Sequence, residues 1–249
     1  MVALKDVNVV LPTSAGDAVI AFGDGADVTV IAGGTIVMPD LTAGRLHTTK
    51  ALLLSQAGLA GITRTDGKVT IGAATPLSAL EDGDEPLATA ARHVADPEIR
   101  GQATVGGNLC SSASPDAPRG DLQAPLIVLG ATVRSAGAGG ERTEPIEDFL
   151  ANGAGRLVLD VSYDEAKRTT GYAAASRPHS HHYTILAVAA AKRDDEVRVA
   201  ATGLGPRAVK LNPDDPLAGI TPPDDALASA WYRTQLLPTL VGRALSELS

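Results

Sequence analysis

The chain has 249 residues, enough for one large domain or two smaller ones with their own cores. Hydrophobic residues make up 44% of it and aromatics only 3%, so an ordinary globular interior has to be built from Ala, Val, Leu and Ile. A formal net charge of -8 argues against a nucleic-acid or anionic-membrane surface, and the single cysteine, Cys110, excludes an internal disulfide, an iron–sulfur cluster or a Cys-rich zinc site held by this chain alone.

The N-terminal residues are too short in apolar run and too mixed in charge for a signal peptide. No stretch approaches the roughly 20 apolar residues that span a bilayer. A cytoplasmic protein with no membrane insertion and no nucleic-acid partner is expected. In chain order, residues 18–22 read as a helix, and residues 28–32 as a β-branched strand that stops at Gly33-Gly34. The Leu-rich residues 50–60 fit a strand or a short helix. Residues 68–71 form a strand entered through the Asp66-Gly67 turn, and 87–94 a helix. The apolar run 124–130 leads into a strand at 131–134, a glycine-rich turn at 137–140 and a return strand through Arg142, the pattern of a hairpin. After Val161 the texture changes, and the charged stretch 164–168 reads as a linker. Beyond it, residues 171–175, 183–191 and 197–204 read as three strands of a small antiparallel sheet. Residues 224–248 have helical spacing, with Pro238 dividing them into two helices. The fold class is α+β, with a first domain over residues 1–165 and a second over 166–249.

Two similar loops carry the chemistry. The first, Ala32-Gly33-Gly34-Thr35, directly follows a strand. The second is Ala103-Thr104-Val105-Gly106-Gly107-Asn108. Glycine has no Cβ and takes φ > 0, so successive backbone N–H groups can converge on an anion. Thr35, Thr104 and Asn108 can add hydrogen bonds to a phosphate or ribose. Glycine pairs also mark simple turns. Other nucleotide signatures are missing: there is no GxxxxGK followed by Ser or Thr, and Gly23-Asp24-Gly25 does not continue into GxGxxG.

The surroundings of the loops narrow the choice. Val30-Ile31-Ala32-Gly33-Gly34-Thr35 followed by Met38-Pro39 resembles the first flavin loop of the FAD subunits of molybdenum hydroxylases, the carbon monoxide and xanthine dehydrogenase type. Ile71 to Leu77 with Leu80, Ile99-Arg100, Ala103 to Leu109, and Phe149 after Pro145-Ile146 are similar to later blocks of that family. Tyr172, Arg177, Tyr183 to Ala189, Tyr232-Arg233 and Arg243-Ala244-Leu245 resemble its C-terminal domain. The resemblance implies a PCMH-type FAD domain of two subdomains, about residues 1–55 and 56–165, followed by a small C-terminal domain at 166–249. It implies non-covalent FAD held by Ala32, Gly33, Gly34 and Thr35 on one side and by Thr104, Gly106, Gly107 and Asn108 on the other. An Asp after the second loop contacts the ribose or adenine end in the family; Asp121 fits by its following Leu122 and Asp116 by its distance from Asn108, and Asp121 is preferred. It also implies an electron-transfer role, with a molybdopterin-binding large subunit and a [2Fe-2S] small subunit as partners, in a dimer of heterotrimers. No residue is assigned as a catalytic acid or base, and no metal site is assigned.

Three departures stand out. Ile36 follows Gly-Gly-Thr where the family has Asp. Ala173 and Ala174 follow Tyr172 where a lysine is usual near the flavin ring. The ring-stacking aromatic before the second loop has no counterpart around Val94. Loss of a cation beside the ring would lower the flavin potential. His179, His181 and His182 invite a metal reading, but no Cys or paired carboxylate completes a ligand set, and a solvated loop or cleft lining fits them better. Cys110 reads as a small buried filler rather than a reactive thiol. The pairs Asp214-Asp215 and Asp224-Asp225 read as turns and helix caps, and Trp231 and Tyr232 as anchors of the last helices. Two alternatives remain: a stand-alone flavin reductase of the UDP-sugar type, or a homologue that keeps the scaffold and binds flavin poorly.

Overall fold

A computed structural model describes residues 7–111, 120–177 and 183–249. Three sheets follow one another along the chain. The first joins β1 (Asn8–Val10), β2 (Val28–Ile31) and β3 (Lys50–Leu53) in the order β1-β3-β2, all parallel. Parallel neighbours need crossovers, and helices α1 (Ala15–Phe22) and α2 (Val37–Thr42) lie in them. Ser14 caps α1 by accepting the Asp17 N–H at 3.0 Å, and Ala18 and Phe22 of α1 pack with Leu52, Leu54, Leu157 and Leu159. The Leu-rich segment is thus a strand at its start. Alternation along β1 is too short to have shown it in the sequence.

The second sheet is antiparallel, in the order β4-β5-β8-β6-β7, with β4 (Ile62–Thr65), β5 (Lys68–Gly72), β6 (Thr132–Ala136), β7 (Arg142–Pro145) and β8 (Leu157–Asp164). The expected hairpin forms at the glycine-rich turn, and the strand entered through Asp66-Gly67 pairs with β4 to make a second one. The central strand β8 was not expected. Apart from the half-buried Asp160 and its exposed last residue it is buried on both faces, so its sequence lacks the in–out alternation that betrays a strand, and the change of texture at Val161 falls inside it. Around this sheet stand α3 (Leu87–Arg92), α4 (Pro97–Gln102), α5 (Val105–Cys110), α6 (Gln123–Val128) and α7 (Ile146–Asn152). The apolar run at 124–130 is α6, and every one of its residues is buried.

A polar tie fastens the edge of this sheet. Arg64 donates to Asp84 at 2.9 Å and to Glu165 at 2.7 Å, and Tyr163 donates to the other Asp84 oxygen at 2.8 Å. Partial burial works against the ionised Asp84 carboxyl, but the hydrogen bonds from Arg64 and Tyr163 and the Arg64 charge outweigh it and hold its pKa below the usual carboxylate value. A carboxyl depressed in the folded state adds stability above its unfolded pKa of about 3.9, and that stability is lost as pH falls through the folded value. In urea unfolding, Asp84→Asn should therefore lower stability at pH 7 and shrink the loss that the chain suffers on acidification to pH ~3. An unchanged pH dependence would exclude this role for Asp84.

The third sheet runs β12-β11-β10-β9, from β9 (Thr169–Ser176), β10 (Thr184–Arg193), β11 (Glu196–Thr202) and β12 (Val209–Leu211), all antiparallel. The three expected strands are present, and the three-residue β12 makes a fourth. The C-terminal segment is one helix, α8 (Ala230–Ser246), rather than two. Ser229 caps it, and residues 224–229 before it form a turn in which Asp224 and Asp225 accept backbone N–H groups. Pro238 sits inside α8 on its exposed side. An interior proline costs about 3 kcal/mol. Leu237, Leu240, Val241 and Ala244, spaced at helical intervals on both sides of it, are buried against the sheet and keep the two halves on one axis.

One hydrophobic core joins the second and third sheets. Val69, Val133, Val158 and Val161 from the second sheet, Leu126, Ile127 and Val128 of α6, and Ala187, Ala189 and Ala200 of the third sheet belong to it. A second core lies between the third sheet and α8. The side chain of Gln123 is almost wholly buried at this junction: its NH2 group donates to the Leu109 and Ser111 carbonyls at 2.9 Å and its oxygen accepts the Ala208 N–H at 2.9 Å. The C-terminal part is thereby locked to the end of α5.

Candidate functional site

The first glycine loop leaves the C-terminal end of β2, the edge of a parallel sheet where ligands commonly sit. Among the described residues, the N–H groups of Gly33, Gly34, Thr35 and Ile36 meet no hydrogen-bond acceptor in the protein. Gly34 takes φ 74, which turns the loop, and its carbonyl accepts the Met38 N–H at 2.9 Å as α2 begins. The N-terminus of α2 has no side-chain cap. The result is a strip of bare backbone donors.

The second loop has a different local structure. Thr104 is the N-cap of α5 and accepts the Gly107 N–H at 3.2 Å. The N–H of Val105 goes to the Thr75 carbonyl at 2.9 Å, that of Gly106 to Ala73 at 2.8 Å and that of Asn108 to Thr104 at 2.8 Å. Its amides are thus used within the fold, and a Cβ on Gly106 would lie 2.9 Å from that of Ala73, so the loop packs closely on the residue that follows β5. Asn108 accepts the Leu122 N–H at 2.9 Å through its side-chain oxygen, which fixes the neighbouring Asp121, itself only 6% exposed.

The two loops meet. A Cβ on Gly33 would lie 1.9 Å from the Gln102 carbonyl oxygen and 3.1 Å from Cα of Ala103, so the first loop rests on the backbone that leads into the second. Between them opens a cavity of about 630 Å³. Ala32, Gly33, Gly34, Thr35, Thr104, Gly106, Gly107, Asn108 and Asp121 all line it. Every site residue named from the sequence is therefore in one place. Asp116, the competitor of Asp121, and the histidines 179, 181 and 182 lie outside the described residues. Among the described residues no group of three or more His, Cys, Asp or Glu is placed to hold a metal ion, and no helix is long and apolar enough to cross a membrane.

The cavity also holds residues that sequence reasoning missed. Arg156 is the only Lys or Arg lining it among the described residues. Its guanidinium donates to the Ser135 hydroxyl and to the carbonyls of Ser135, Ala138 and Gly140, so it ties the glycine-rich turn to the start of β8. Burial first, and the Arg142 charge second, lower its pKa from the ordinary arginine value, with Glu144 opposing. It carries no carboxylate bond among the described residues. His93, one residue before the place where an aromatic was missed, lines the cavity with its ring 5.3 Å from that of Tyr172. Ile36 lines it as well, whereas Ala173 and Ala174 do not. Thr184 lines it from β10 and Leu227 from the turn before α8. Cys110 borders the cavity and is exposed as a residue, which corrects the reading of a buried filler; the atoms packed round its sulfur still push the thiol up to about 11, with Arg207 opposing. Trp231 and Tyr232 are exposed rather than anchoring.

The site fits FAD by its own chemistry. A diphosphate needs several unbonded N–H donors, which Gly33 to Ile36 provide, the first two on glycines, and a cation lining the same cavity, which Arg156 provides. Apolar walls from Val30, Leu54, Ile99, Leu157 and Val158 suit the faces of planar rings.

Known proteins agree with this geometry. Residues 5–161 match the family described as FAD binding domain in molybdopterin dehydrogenase. The chain is 27% identical over 262 residues to the 6-hydroxypseudooxynicotine dehydrogenase complex subunit alpha of Paenarthrobacter nicotinovorans, covering 90% of this chain and 87% of that one. It is 24% identical to the carbon monoxide dehydrogenase medium chain of Hydrogenophaga pseudoflava, covering 94% of each. In fold it is similar to a structure of carbon monoxide dehydrogenase from the same organism, at TM-score 0.84 and 22% identity over 97% of this chain and 96% of that one. With loops, cavity and family match in agreement, the chain belongs to the FAD-binding domain family of the molybdopterin dehydrogenases, the medium-subunit type found in carbon monoxide and xanthine dehydrogenases, and FAD is its cofactor.

Proposed function

We propose that this chain is the electron-transfer subunit of a three-component molybdenum hydroxylase, taking electrons from [2Fe-2S] clusters of a small subunit and passing them to NAD, a quinone or oxygen. A molybdopterin-binding large subunit would carry substrate oxidation, and the assembly would be a dimer of heterotrimers. Residues 1–165 form the PCMH-type FAD domain in this reading and residues 166–249 the C-terminal domain. When bound, FAD supplies the redox chemistry, and the protein supplies binding, orientation and electrostatics.

The observation that carries the reading is the run of four unbonded N–H groups at Gly33 to Ile36 pressed against the second loop. These amides would hold the diphosphate without a covalent link, with Ala32 and Thr35 framing it. Thr104, Gly106 and Gly107 would form the opposite wall of the cavity. Asn108, with its oxygen engaged by Leu122, presents its NH2 group to the cavity and sets Asp121 for a ribose hydroxyl. Arg156 adds positive potential from the far wall.

The test is reconstitution of the purified chain with FAD, followed by the visible spectrum and by quenching of flavin fluorescence. Stoichiometric uptake released intact by acid denaturation supports non-covalent binding. A chain that stays colourless at saturating FAD would remove the reading in favour of a scaffold that has lost its flavin. Co-purification with a molybdopterin subunit and a Cys-rich small subunit would test the partners.

A further inference from the structure

We propose that Arg100 is a flavin-positioning residue, acting through the backbone of Val94 and Ala95 to hold residues 93–96 as a wall of the FAD cavity. The inference rests on the functional reading above and adds a device that lies behind the site.

The wall is a loop. His93, Val94, Ala95 and Asp96 join α3 to α4, and all four line the cavity. Ala95 takes φ 41, in the left-handed region where a Cβ crowds the backbone. Among the described residues the other non-glycine residues with positive φ are Asp27, Asp66 and Asp194, and aspartate tolerates that region better than alanine does. An alanine stays there only when its surroundings hold it, and such strain gathers at binding sites.

Arg100 supplies the hold. Its side chain is 12% exposed, and Nη1 donates to the carbonyls of Val94 at 3.0 Å and Ala95 at 3.1 Å. Nε donates at 2.7 Å to Glu81, which follows the turn Leu77–Leu80. One planar guanidinium therefore ties the carbonyls on either side of the Ala95 Cα to a carboxylate on a separate segment. Asp96 fixes the far end of the loop as the cap of α4, accepting the Ile99 N–H at 2.8 Å.

A second cavity, of about 310 Å³, shares His93, Ala95 and Asp96 with the first. The loop is thus a partition between two spaces. Arg100 lines only the second of them, so it grips the partition from the side away from the flavin. Ala95 is half-buried with open space on two sides, and packing alone supports it less than it would a core residue.

The experiment measures FAD affinity by fluorescence quenching for the full-length chain and for Arg100→Met, Ala95→Gly and the double variant. Arg100→Met should bind FAD at least about tenfold more weakly, the range for losing charged hydrogen bonds. Ala95→Gly alone should change affinity by less than about twofold, because Arg100 already holds the loop. On the Arg100→Met background the same substitution should tighten binding at least about threefold, because glycine takes this φ without strain. An arginine that served only the general stability of the chain would not give that coupling. The same comparison on Arg100→Lys, which keeps the charge but cannot fork across both carbonyls and Glu81, carries the test if the methionine variant folds poorly. Unchanged FAD affinity in Arg100→Met overturns the proposal. So does a loss that Ala95→Gly leaves just as large, and so does an equal effect of Ala95→Gly with and without Arg100. Wild-type protein that takes up no flavin defeats the functional reading itself, a result visible before any variant is made.

Discussion

Gly33→Ala is expected to weaken FAD binding by at least about 100-fold, with little change in the fold of the C-terminal sheet. The added methyl would sit 1.9 Å from the Gln102 carbonyl oxygen and 2.7 Å from its carbon. Carbon contacts become favourable only near 3.5–4.0 Å, so the two loops would have to part by more than about 1 Å. All the atoms that the methyl meets first are backbone, so no rotamer change relieves the clash. Moving the loop also displaces the four bare N–H groups together, and with them the donors proposed for the diphosphate. A 1 Å misplacement in a preorganised charge-binding site costs on the order of 100-fold. The control is Gly101→Ala: a Cβ there meets nothing within 4 Å, so FAD affinity should be unchanged. Fluorescence-quenching titrations read both variants. Tight binding by Gly33→Ala would show that the first loop does not hold the cofactor.

The second large effect is expected at Arg233, which no solvent reaches. Its guanidinium grips both oxygens of Asp225, at 2.8 and 2.9 Å, and donates to the carbonyls of Pro223 and Ala228 at 2.6 and 2.8 Å. Asp225 in turn accepts the N–H groups of Leu227 and Ala228 at 2.9 and 3.2 Å. Truncating one partner strands a buried charge, at about 3–5 kcal/mol. At roughly 2–4 °C per kcal/mol for a chain of this size, Arg233→Met should lower the melting temperature by about 10 °C. The same ion pair seats the turn that brings Leu227 to the cavity wall, so the variant should also bind FAD more weakly. Pairing Arg233→Met with Asp225→Leu should recover part of the lost stability, because no lone charge is then left inside. A fall of less than about 2 °C in the single variant would contradict the assignment.

Much of the site was legible in the residues themselves, because closeness of backbone to ligand demands glycine and glycine pairs are visible at once. Gly33, Gly34, Gly106 and Gly107 needed no partner to be noticed. What the sequence hid was how differently the two loops use their amides: Thr104 reads as a hydroxyl beside glycines, but it caps a helix by taking the Gly107 N–H, while the Val105 and Gly106 N–H groups go to the Thr75 and Ala73 carbonyls. Residues that reach the cavity from distant segments were equally hidden. His93, Arg156 and Thr184 come from α3, the start of β8 and the start of β10, and only tertiary packing brings them together. In the fold, short strands with alternating faces and glycine turns were readable. Strand β8 was not, because burial on both sides erases alternation, and α8 was split at Pro238 because local propensity was weighed without the packing that overrides it.

Helix α6 has further consequences for engineering. It packs on the third sheet and on α3 and α7, and shares one hydrophobic core with residues of the second sheet, so its apolar surface is a shared wall shaped to more than one neighbour. Swapping the C-terminal part for that of a relative would therefore succeed only if Leu126, Ile127 and Gln123 travelled with it, since a foreign sheet laid on the native wall would meet mismatched contours and an unanswered amide. The natural seam for building chimeras lies upstream of this helix, well before the point where the chain crosses from one sheet to the next.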